Sequence, residues 1–440
     1  MKRIARPVGF LLLAVMLFCL SGCYSGSIDQ YFSLPMASEE YQQLQTLIDE
    51  ELSSGSEYAA PTRGSYRQSV QLNDINGDGV DEALAFFRDA SKSPKINIYS
   101  YSAEDGEYRF VLSLVGEGSS IGRIDYADLL GDGQKELLVS WQISSGVSML
   151  SVYRLSDWSG EVLLSTDSTE FVTGDINSDG HDELLNLRAA NSTTYLVDQY
   201  TLVSGQEPQA TSAALSADIQ TLQRLRMITL EGNSPALLAE STLTTGDLVS
   251  DIFVCRDGSL INLTMNRTTQ VSETRRSYSL VYAQDIDGDG CTEIPHPQQL
   301  YSSGDEVFWS IAWFRYDASG RADTVMTTYH CVTDNWYLAL PSGWDVGLTV
   351  SRDESVSGEH AVTLSRLCSD GSLEDYAVVY TITGENRYER AKMENRFVLQ
   401  EEGSTVYAAE ILDDSVGQNT ISENFHVIYT DWSSGSVVGG

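Results

Sequence analysis

One nine-residue pattern recurs four times in this chain, and an internal repeat restricts the possible folds more than any other feature of a sequence. The copies begin at four aspartates, Asp74, Asp128, Asp175 and Asp285. Their starts are 54, 47 and 110 residues apart, and 110 is about twice the shorter spacings. A further repeat without the carboxylates is therefore expected near residue 230, within residues 228–238. The spacing predicts a chain of equivalent structural units.

A second pattern agrees with this repeat. From Tyr66 onward, apolar and polar residues alternate and are interrupted by turn residues, which is typical of β-strands. Strands of this kind recur around seven positions, at Tyr99, Tyr153, Tyr200, Phe253, Phe314, Leu364 and Val427. Divided among seven units, residues 65–432 supply about 53 residues each, enough for four short strands and their turns.

The chemistry of the repeated loop favours calcium. Side-chain oxygens at positions 1, 3 and 5 of a tight turn converge on one point, glycine at position 6 permits the turn, position 7 offers a backbone carbonyl, and an acid at position 9 completes the shell. Three loops have this full spacing: Asp74, Asn76, Asp78, Val80 and Glu82; Asp175, Asn177, Asp179, His181 and Glu183; and Asp285, Asp287, Asp289, Cys291 and Glu293. The alternative is a plain Asp/Gly turn solvated by water.

The fourth loop is predicted to bind calcium weakly or not at all. It retains Asp128, Asp132 and Glu136, but Leu130 stands at the second ligand position. None of the three complete loops is an EF-hand, because an EF-hand needs glutamate at position 12.

These loops resemble the calcium loops of FG-GAP/VCBS repeat proteins, the family that includes the integrin α-subunit propeller. The family pattern is DxDxDGxxD, and this chain departs from it by asparagine at position 3 of two loops and by glutamate at position 9. The resemblance implies an all-β fold, a β-propeller of four-stranded antiparallel blades around a central axis, with structural Ca²⁺ in two to three loops. Together with the repeat count, it predicts seven blades and a short N-terminal helix. The arrangement is also similar to bacterial VCBS-repeat lipoproteins.

The N-terminus is interpreted as a targeting segment. Basic residues precede an apolar stretch that is too short to span a bilayer, and the stretch ends in a sequence that resembles the bacterial lipobox and places Cys23 as the lipidated residue. An ordinary secretory signal with a chance cysteine is the alternative. The predicted division is a signal peptide at 1–22, a lipidated tether and short helix at 23–64, the propeller at 65–432 and a tail at 433–440. The helix is expected from about Ser38 to Leu52, with one apolar face.

Charge limits the possible partners. The chain has 63 acidic and 27 basic residues and a formal net charge of -36, so nucleic acid is excluded as a partner. Membrane contact is expected through the lipid anchor alone, in an extracytoplasmic location at the bacterial cell surface or in the periplasm. Four cysteines in the exported body could form disulfides in three connectivities or remain small buried side chains: Cys255, Cys291, Cys331 and Cys368.

Signals for catalysis are few. Gly118–Gly122 matches GxSxG but precedes a strand, unlike a nucleophile elbow, and the five histidines show no metal-binding spacing. Four tryptophans could line a sugar-binding surface or belong to the core: Trp309, Trp313, Trp336 and Trp344. The sequence therefore predicts a lipid-anchored binding or scaffolding module for an envelope protein or a glycan. The alternatives are an extracellular hydrolase or lyase with its site at the propeller mouth, and a purely structural spacer.

Overall fold

The structure is a computed structural model that describes residues 39–102, 104–155, 157–278, 280–302, 306–413 and 416–428. Cys23, the predicted signal peptide and the predicted tail lie outside the described residues, so lipidation stays a prediction. Among the described helices, none combines the length and the apolar character needed to cross a membrane.

The predicted N-terminal helix is confirmed as α1, Glu39–Ser53. Leu44 and Ile48, one turn apart on the apolar face, are 5% and 2% exposed and pack against the first sheet. Gly55 follows the helix with a φ of 99°, a conformation that glycine adopts without steric cost. The apolar face therefore fixes α1 on the sheet.

In the described part of the chain, six antiparallel sheets of four or five strands follow one another. Sheet 1 contains β1 Glu57–Tyr58, β2 Val70–Asn73, β3 Glu82–Arg88, β4 Pro94–Ser102 and β5 Glu107–Val115. Sheet 2 contains β6 Ser120–Ala127, β7 Glu136–Ser144, β8 Val147–Arg154 and β9 Glu161–Ser168. Sheet 3 contains β10 Glu170–Gly174, β11 Glu183–Ala189, β12 Tyr195–Thr201 and β13 Gln209–Ala214.

The second half of the chain continues this order. Sheet 4 contains β14 Ile219–Leu230, β15 Ser234–Leu243, β16 Leu248–Arg256 and β17 Ser259–Asn262, and a two-stranded sheet follows with β18 Met265–Asn266 and β19 Val271–Ser272. Sheet 5 contains β20 Glu293–Gln299, β21 Trp309–Tyr316, β22 Ala322–Cys331, β23 Trp336–Ala339 and the C-terminal β29 Phe425–Val427. Sheet 6 contains β24 Leu348–Asp353, β25 Glu359–Leu367, β26 Leu373–Ile382, β27 Phe397–Glu402 and β28 Thr405–Ile411. Short helices are the 3₁₀ turn Val332–Asp334, α2 Arg387–Arg390 and α3 Gln418–Asn424.

Each sheet packs face to face on the next, as blades of a β-propeller do. Successive residues of a strand point to opposite faces, so Leu137 of sheet 2 packs towards sheet 1 whereas Leu138 packs towards sheet 3. Comparable apolar clusters join sheets 3 and 4, 4 and 5, and 5 and 6. The first strands of sheets 2 and 3 are linked by Arg123, whose Nη1 donates to Glu170 Oε1 at 2.9 Å. The predicted all-β propeller class is therefore confirmed.

The number of large sheets differs from the predicted seven. Val427, counted as the seventh repeat, lies on β29, which pairs with β23 as an additional strand of sheet 5. The described residues form six large sheets and the small β18–β19 sheet. Counting strand patterns along the chain cannot recognise a C-terminal strand that returns to an earlier sheet, because that pairing is made over a long sequence separation.

Sheets 1 and 6, the first and last along the chain, each pack one face against a segment that is not a large sheet. One face of sheet 1 packs on α1, and one face of sheet 6 packs on Ala391, which follows α2. The strand β1 and the residues around Thr62, ahead of the predicted boundary at 65, already hydrogen-bond to sheets 1 and 2.

Candidate functional site

The four acidic loops occupy equivalent places in four sheets. The loops of sheets 2 and 3 join the first strand to the second, that of sheet 1 joins β2 to β3, and that of sheet 5 leads into β20. In all four, the residue before the loop is the cross-strand partner of the last acid of the loop. These partners are Asn73 and Glu82, Ala127 and Glu136, Gly174 and Glu183, and Gln284 and Glu293. The repeat that was expected near residue 230 is a turn between β14 and β15 in sheet 4. The sequence repeat is therefore a repeat of structure.

The last acid of each loop is buried and closes the turn. Glu82, Glu136, Glu183 and Glu293 are at most 2% exposed. Each accepts the backbone N–H of the second loop residue, at 2.9 Å from Leu129 and at 3.1 Å from Ile75, Ile176 and Ile286. The hydrogen bond holds the beginning of the loop against its end.

The aspartates at position 1 of the loops complete each turn. Asp74, Asp128, Asp175 and Asp285 accept the N–H of the glycine at position 6 at 2.8 to 3.0 Å. At position 7, Val80, His181 and Cys291 donate their backbone N–H to the aspartate at position 5 at 2.8 to 2.9 Å. These residues were predicted to contribute backbone carbonyls to a metal. The turn is thus hydrogen-bonded through its own acids.

Burial and the nearby negative charges both raise the pKa of the last acid of the loop. Burial first, and the neighbouring aspartates in addition, raise the pKa of Glu82 and of Glu183 to about 7. Glu136 behaves in the same way, with a pKa of about 7. Burial also raises the pKa of Glu293, but a hydrogen bond from Arg315 acts in the opposite direction.

Arg315 sets the last loop apart, and the sequence analysis did not identify it. Its guanidinium contacts three acids of the loop, Asp287 at 2.6 Å, and Asp289 and Glu293 at 2.8 Å. Oxygens of Asp285, Asp287 and Asp289 lie within 4.8 Å of one another. In the loop that lacks a ligand, Arg154 contacts Asp132 at 2.7 Å.

Strand register explains why Arg315 and Arg154 lie beside their loops. Glu293 pairs with Arg315 across β20 and β21. In the other three sheets the strand registers, continued by one residue, place Ser100, Arg154 and Thr201 opposite the last acid of the loop. The same number of residues separates 82 from 100, 136 from 154 and 183 from 201. This constant spacing could have located Arg154 from the sequence, but not Arg315, because 22 residues separate 293 from 315.

A second cluster of polar side chains lies between sheets 5 and 6. Asp334, on the 3₁₀ turn after β22, is 3% exposed and binds two bases through its two oxygens. Oδ1 lies 2.7 Å from Nδ1 of His360 on β25, and Oδ2 accepts from Nη2 of Arg352 on β24 at 3.2 Å. Asn335 follows with a φ of 58°, a left-handed conformation that asparagine tolerates and that ends the turn. The turn thus holds the carboxylate facing sheet 6.

His360 and Arg352 share one face of sheet 6. Arg352 is the cross-strand partner of Val362, and His360 lies two residues from Val362 on the same strand. His360 is 43% exposed, whereas Arg352 is 17% exposed and also contacts Glu354 at 3.0 Å. With the Asp334 carboxylate accepting a hydrogen from Nδ1, the Nε2 of His360 carries the lone pair and can accept a proton.

A cleft of about 260 Å³ adjoins this cluster. Its lining includes Arg352, Cys331 and Thr333, together with the aromatic residues Tyr278, Phe308, Trp309 and Tyr329. Tyr278 and Trp309 stack with ring centroids 5.4 Å apart. The cleft therefore combines a cation with an aromatic wall.

Cys331 and His330 line the cleft in uncharged forms. Burial, with Asp334 beside it, raises the pKa of the Cys331 thiol to about 12, and the thiol donates to Asp334 Oδ2 at 3.3 Å. Burial lowers the pKa of His330 to about 3. A thiolate nucleophile is therefore disfavoured at neutral pH, because the nucleophilic form of cysteine is the thiolate.

The other candidate residues take structural roles in the described part of the chain. Trp313 and Trp336 are fully buried and Trp344 is 3% exposed, so that only Trp309 of the four tryptophans borders the cleft. Cys255, Cys291, Cys331 and Cys368 are free thiols. The GxSxG segment leads into β6, as its position before a repeat strand predicted.

Comparisons with known proteins give structural matches only. The sequence matches none of the protein-family models and none of the curated proteins with which it was compared. The periplasmic gluconolactonase of Pseudomonas aeruginosa matches with a TM-score of 0.29 and 11% identity, covering 72% of this chain and 86% of that one. Sqt1 of Saccharomyces cerevisiae matches with a TM-score of 0.29 and 13% identity, covering 81% and 87%. A candidate 6-phosphogluconolactonase of Bacteroides fragilis matches with a TM-score of 0.24 and 11% identity, covering 71% and 84%.

The predicted binding or scaffolding function is corrected by these matches. Of the three structures named above, the two with a stated activity are lactonases, which agrees better with the alternative prediction, an extracellular hydrolase or lyase. At such low TM-scores and identities the matches do not assign an activity to this chain.

Proposed function

We propose that this β-propeller is a hydrolase of small esters or lactones, with its active site at the Asp334–His360 pair and the adjoining cleft. The observation that carries the proposal is the 2.7 Å contact between a buried carboxylate and Nδ1 of a half-exposed histidine. Such a pair holds the imidazole in one tautomer and stabilises its protonated form, which is what a general base requires.

In this mechanism, Nε2 of His360 accepts a proton from a water molecule as the water oxygen attacks the carbonyl carbon. The buried charge of Asp334 stabilises the imidazolium that forms. When the ester bond breaks, His360 returns the proton to the departing alkoxide oxygen, so that an acid and an alcohol are released. No covalent intermediate is needed, in agreement with the protonated state of Cys331.

Arg352 supplies positive charge for the carbonyl oxygen, which becomes negative as the water attacks. Its Nε is buried and has no hydrogen-bond partner within the described part of the chain. An oxygen of the substrate would satisfy this donor. A buried donor without an acceptor is costly, so binding of a substrate oxygen would remove an existing penalty.

The cleft favours a small substrate. A volume of about 260 Å³ accommodates a ring of sugar size but not a polymer. The stacked pair of Tyr278 and Trp309 offers a surface on which such a ring can lie.

Changing His360 to asparagine should abolish most of this hydrolysis. Proton release would be followed with a pH indicator on aryl acetates, aryl butyrates, glucono-δ-lactone and a phosphorylated sugar lactone. General-base catalysis contributes about 100- to 10,000-fold, so the variant should lose activity on that scale with an unchanged thermal midpoint. His426→Asn is the matched control, since His426 stacks on Tyr337 and is not part of the Asp334 cluster. Full activity of the His360 variant, or no hydrolysis of any substrate above the uncatalysed rate, would refute the proposal.

We also propose structural calcium in the loops 74–82 and 175–183, as expected for an FG-GAP/VCBS-like propeller. Their side chains offer the hard oxygen ligands that calcium prefers: Asp74, Asn76, Asp78 and Glu82, and Asp175, Asn177, Asp179 and Glu183. The support is this donor set at equivalent positions of sheets 1 and 3. The ion would hold the turn between β2 and β3 in sheet 1 and between β10 and β11 in sheet 3.

Calcium should therefore raise the melting temperature of the protein. Binding to the folded state alone contributes about 2.7 kcal/mol per site at a hundredfold excess of calcium over its dissociation constant. The measurement is a thermal melt in EDTA and in millimolar calcium, with magnesium as the ionic-strength control. Asp78→Asn and Asp179→Asn should each remove part of the gain. Identical midpoints with and without calcium would contradict the prediction.

A further inference from the structure

We propose that Arg315 takes the place of a metal ion in the loop 285–293, so that the loop closest to the calcium pattern in sequence binds no calcium. This loop has aspartate at positions 1, 3 and 5, namely Asp285, Asp287 and Asp289. A residue outside the loops thus divides the four similar loops into two classes.

The geometry places the guanidinium against the predicted ligands. Nη2 of Arg315 lies 2.6 Å from Asp287 Oδ2 and 2.8 Å from Asp289 Oδ2, and Nε donates to Glu293 Oε1 at 2.8 Å. These acids stand at positions 3, 5 and 9 of the loop. Arg315 is 19% exposed, so its hydrogen bonds are partly shielded from water. One side chain thus satisfies three of the four acids that a calcium ion would need.

A calcium ion would have to displace this guanidinium. An arginine side chain is permanently charged, so it cannot be neutralised to admit a second cation. If it stayed, a divalent ion would lie within a few ångströms of a like charge, which is strongly unfavourable in a partly buried site. If it left, three charge-assisted hydrogen bonds would be lost.

The loops of sheets 1 and 3 differ at this cross-strand position. Ser100 and Thr201 stand where Arg315 stands in sheet 5, and neither carries a charge. In their loops, the amides of Asn76 and Asn177 donate to the aspartate at position 5, at 3.0 and 2.9 Å. An amide is neutral, so these two loops keep their negative charge.

The loop of sheet 2 shares with that of sheet 5 an arginine opposite its last acid. Arg154 occupies the equivalent position and contacts Asp132 at 2.7 Å. This loop has also lost a ligand, because Leu130 replaces the acid or amide at position 3. Both loops therefore have an arginine opposite their last acid. The loop of sheet 2 has also lost a ligand, whereas in the loop of sheet 5 the arginine takes the place of the ion.

The test is the number of calcium ions bound at equilibrium by wild type and by Arg315→Met, measured by dialysis. Methionine keeps an apolar stem but removes the charge, so the variant should bind one calcium ion more than wild type. Its melting temperature should fall in EDTA and recover in calcium. Arg321→Met is the matched control, because Arg321 pairs with Asp323 on the same hairpin and touches no loop acid. It should leave the calcium count unchanged.

The number of calcium ions bound by wild type depends on the calcium proposal for sheets 1 and 3. Two further variants test the role of Arg315 independently of that proposal. Asp287→Asn should not change calcium binding by wild type, and this result does not depend on the folding of Arg315→Met. Thr201→Arg should remove one ion. A wild type that binds none while Arg315→Met binds one would support Arg315 and refute calcium in the other loops. An equal count in wild type and Arg315→Met, or loss of an ion in Asp287→Asn, would overturn the inference.

Discussion

Replacing Asp334 with asparagine should lower the rate of hydrolysis about a hundred- to ten-thousandfold. Asparagine has the same shape but no charge, so it cannot stabilise the imidazolium that His360 becomes during the reaction. Its amide group can also donate a hydrogen to His360, which would favour the wrong tautomer. The loss should appear in kcat rather than in KM, because the charge of Asp334 matters most when His360 is protonated.

A double variant distinguishes a catalytic pair from two independent residues. Asp334→Asn combined with His360→Asn should be about as slow as either single variant, since residues that act as a unit have non-additive effects. Asp345→Asn is the matched control, because Asp345 is exposed in the loop before β24. Multiplicative losses in the double variant, or an equal loss in the Asp345 control, would contradict the assignment. Thermal melts of each variant would separate a catalytic loss from unfolding.

Replacing Glu240 with glutamine should destabilise the protein by about 3–5 kcal/mol, because it breaks a buried ion pair from one side. Glu240 on β15 is fully buried and accepts from Arg276 Nη2 at 2.9 Å, from Ser250 Oγ at 2.9 Å and from the backbone N–H of Ala283 at 3.0 Å. Burial lowers the pKa of Arg276, and Glu240 is the group that opposes this effect. Without the carboxylate, a guanidinium remains in the interior with no counter-charge.

The measurement for Glu240 is the denaturant midpoint of unfolding, compared with Glu207→Gln, whose parent residue is exposed in a turn. A combined Glu240→Gln and Arg276→Met variant should lose less than the sum of the single losses, since it removes both charges of the pair. If Glu240→Gln unfolded at the same midpoint as the Glu207 control, this buried pair would not be a main support of sheets 4 and 5.

The sequence by itself determined the features that depend on local patterns. The helix α1, the repeated loops at Glu82 and Glu183, and the β-rich body were predictable because amphipathic spacing, turn glycines and alternating apolar residues act within a few residues of one another. The missing carboxylates near residue 230 were also readable, since a constant repeat length shows where a loop has been lost.

Only the tertiary structure decided the number of large sheets, the neutralised loop and the candidate active site. The strand β29 returns to sheet 5, and Arg315 reaches its loop from the next strand. Asp334 follows a strand of sheet 5 and His360 lies on a strand of sheet 6, yet the two side chains meet. In each case the decisive contact is set by strand register or by the packing of one sheet on another, and neither is encoded in the spacing of residues along a single strand.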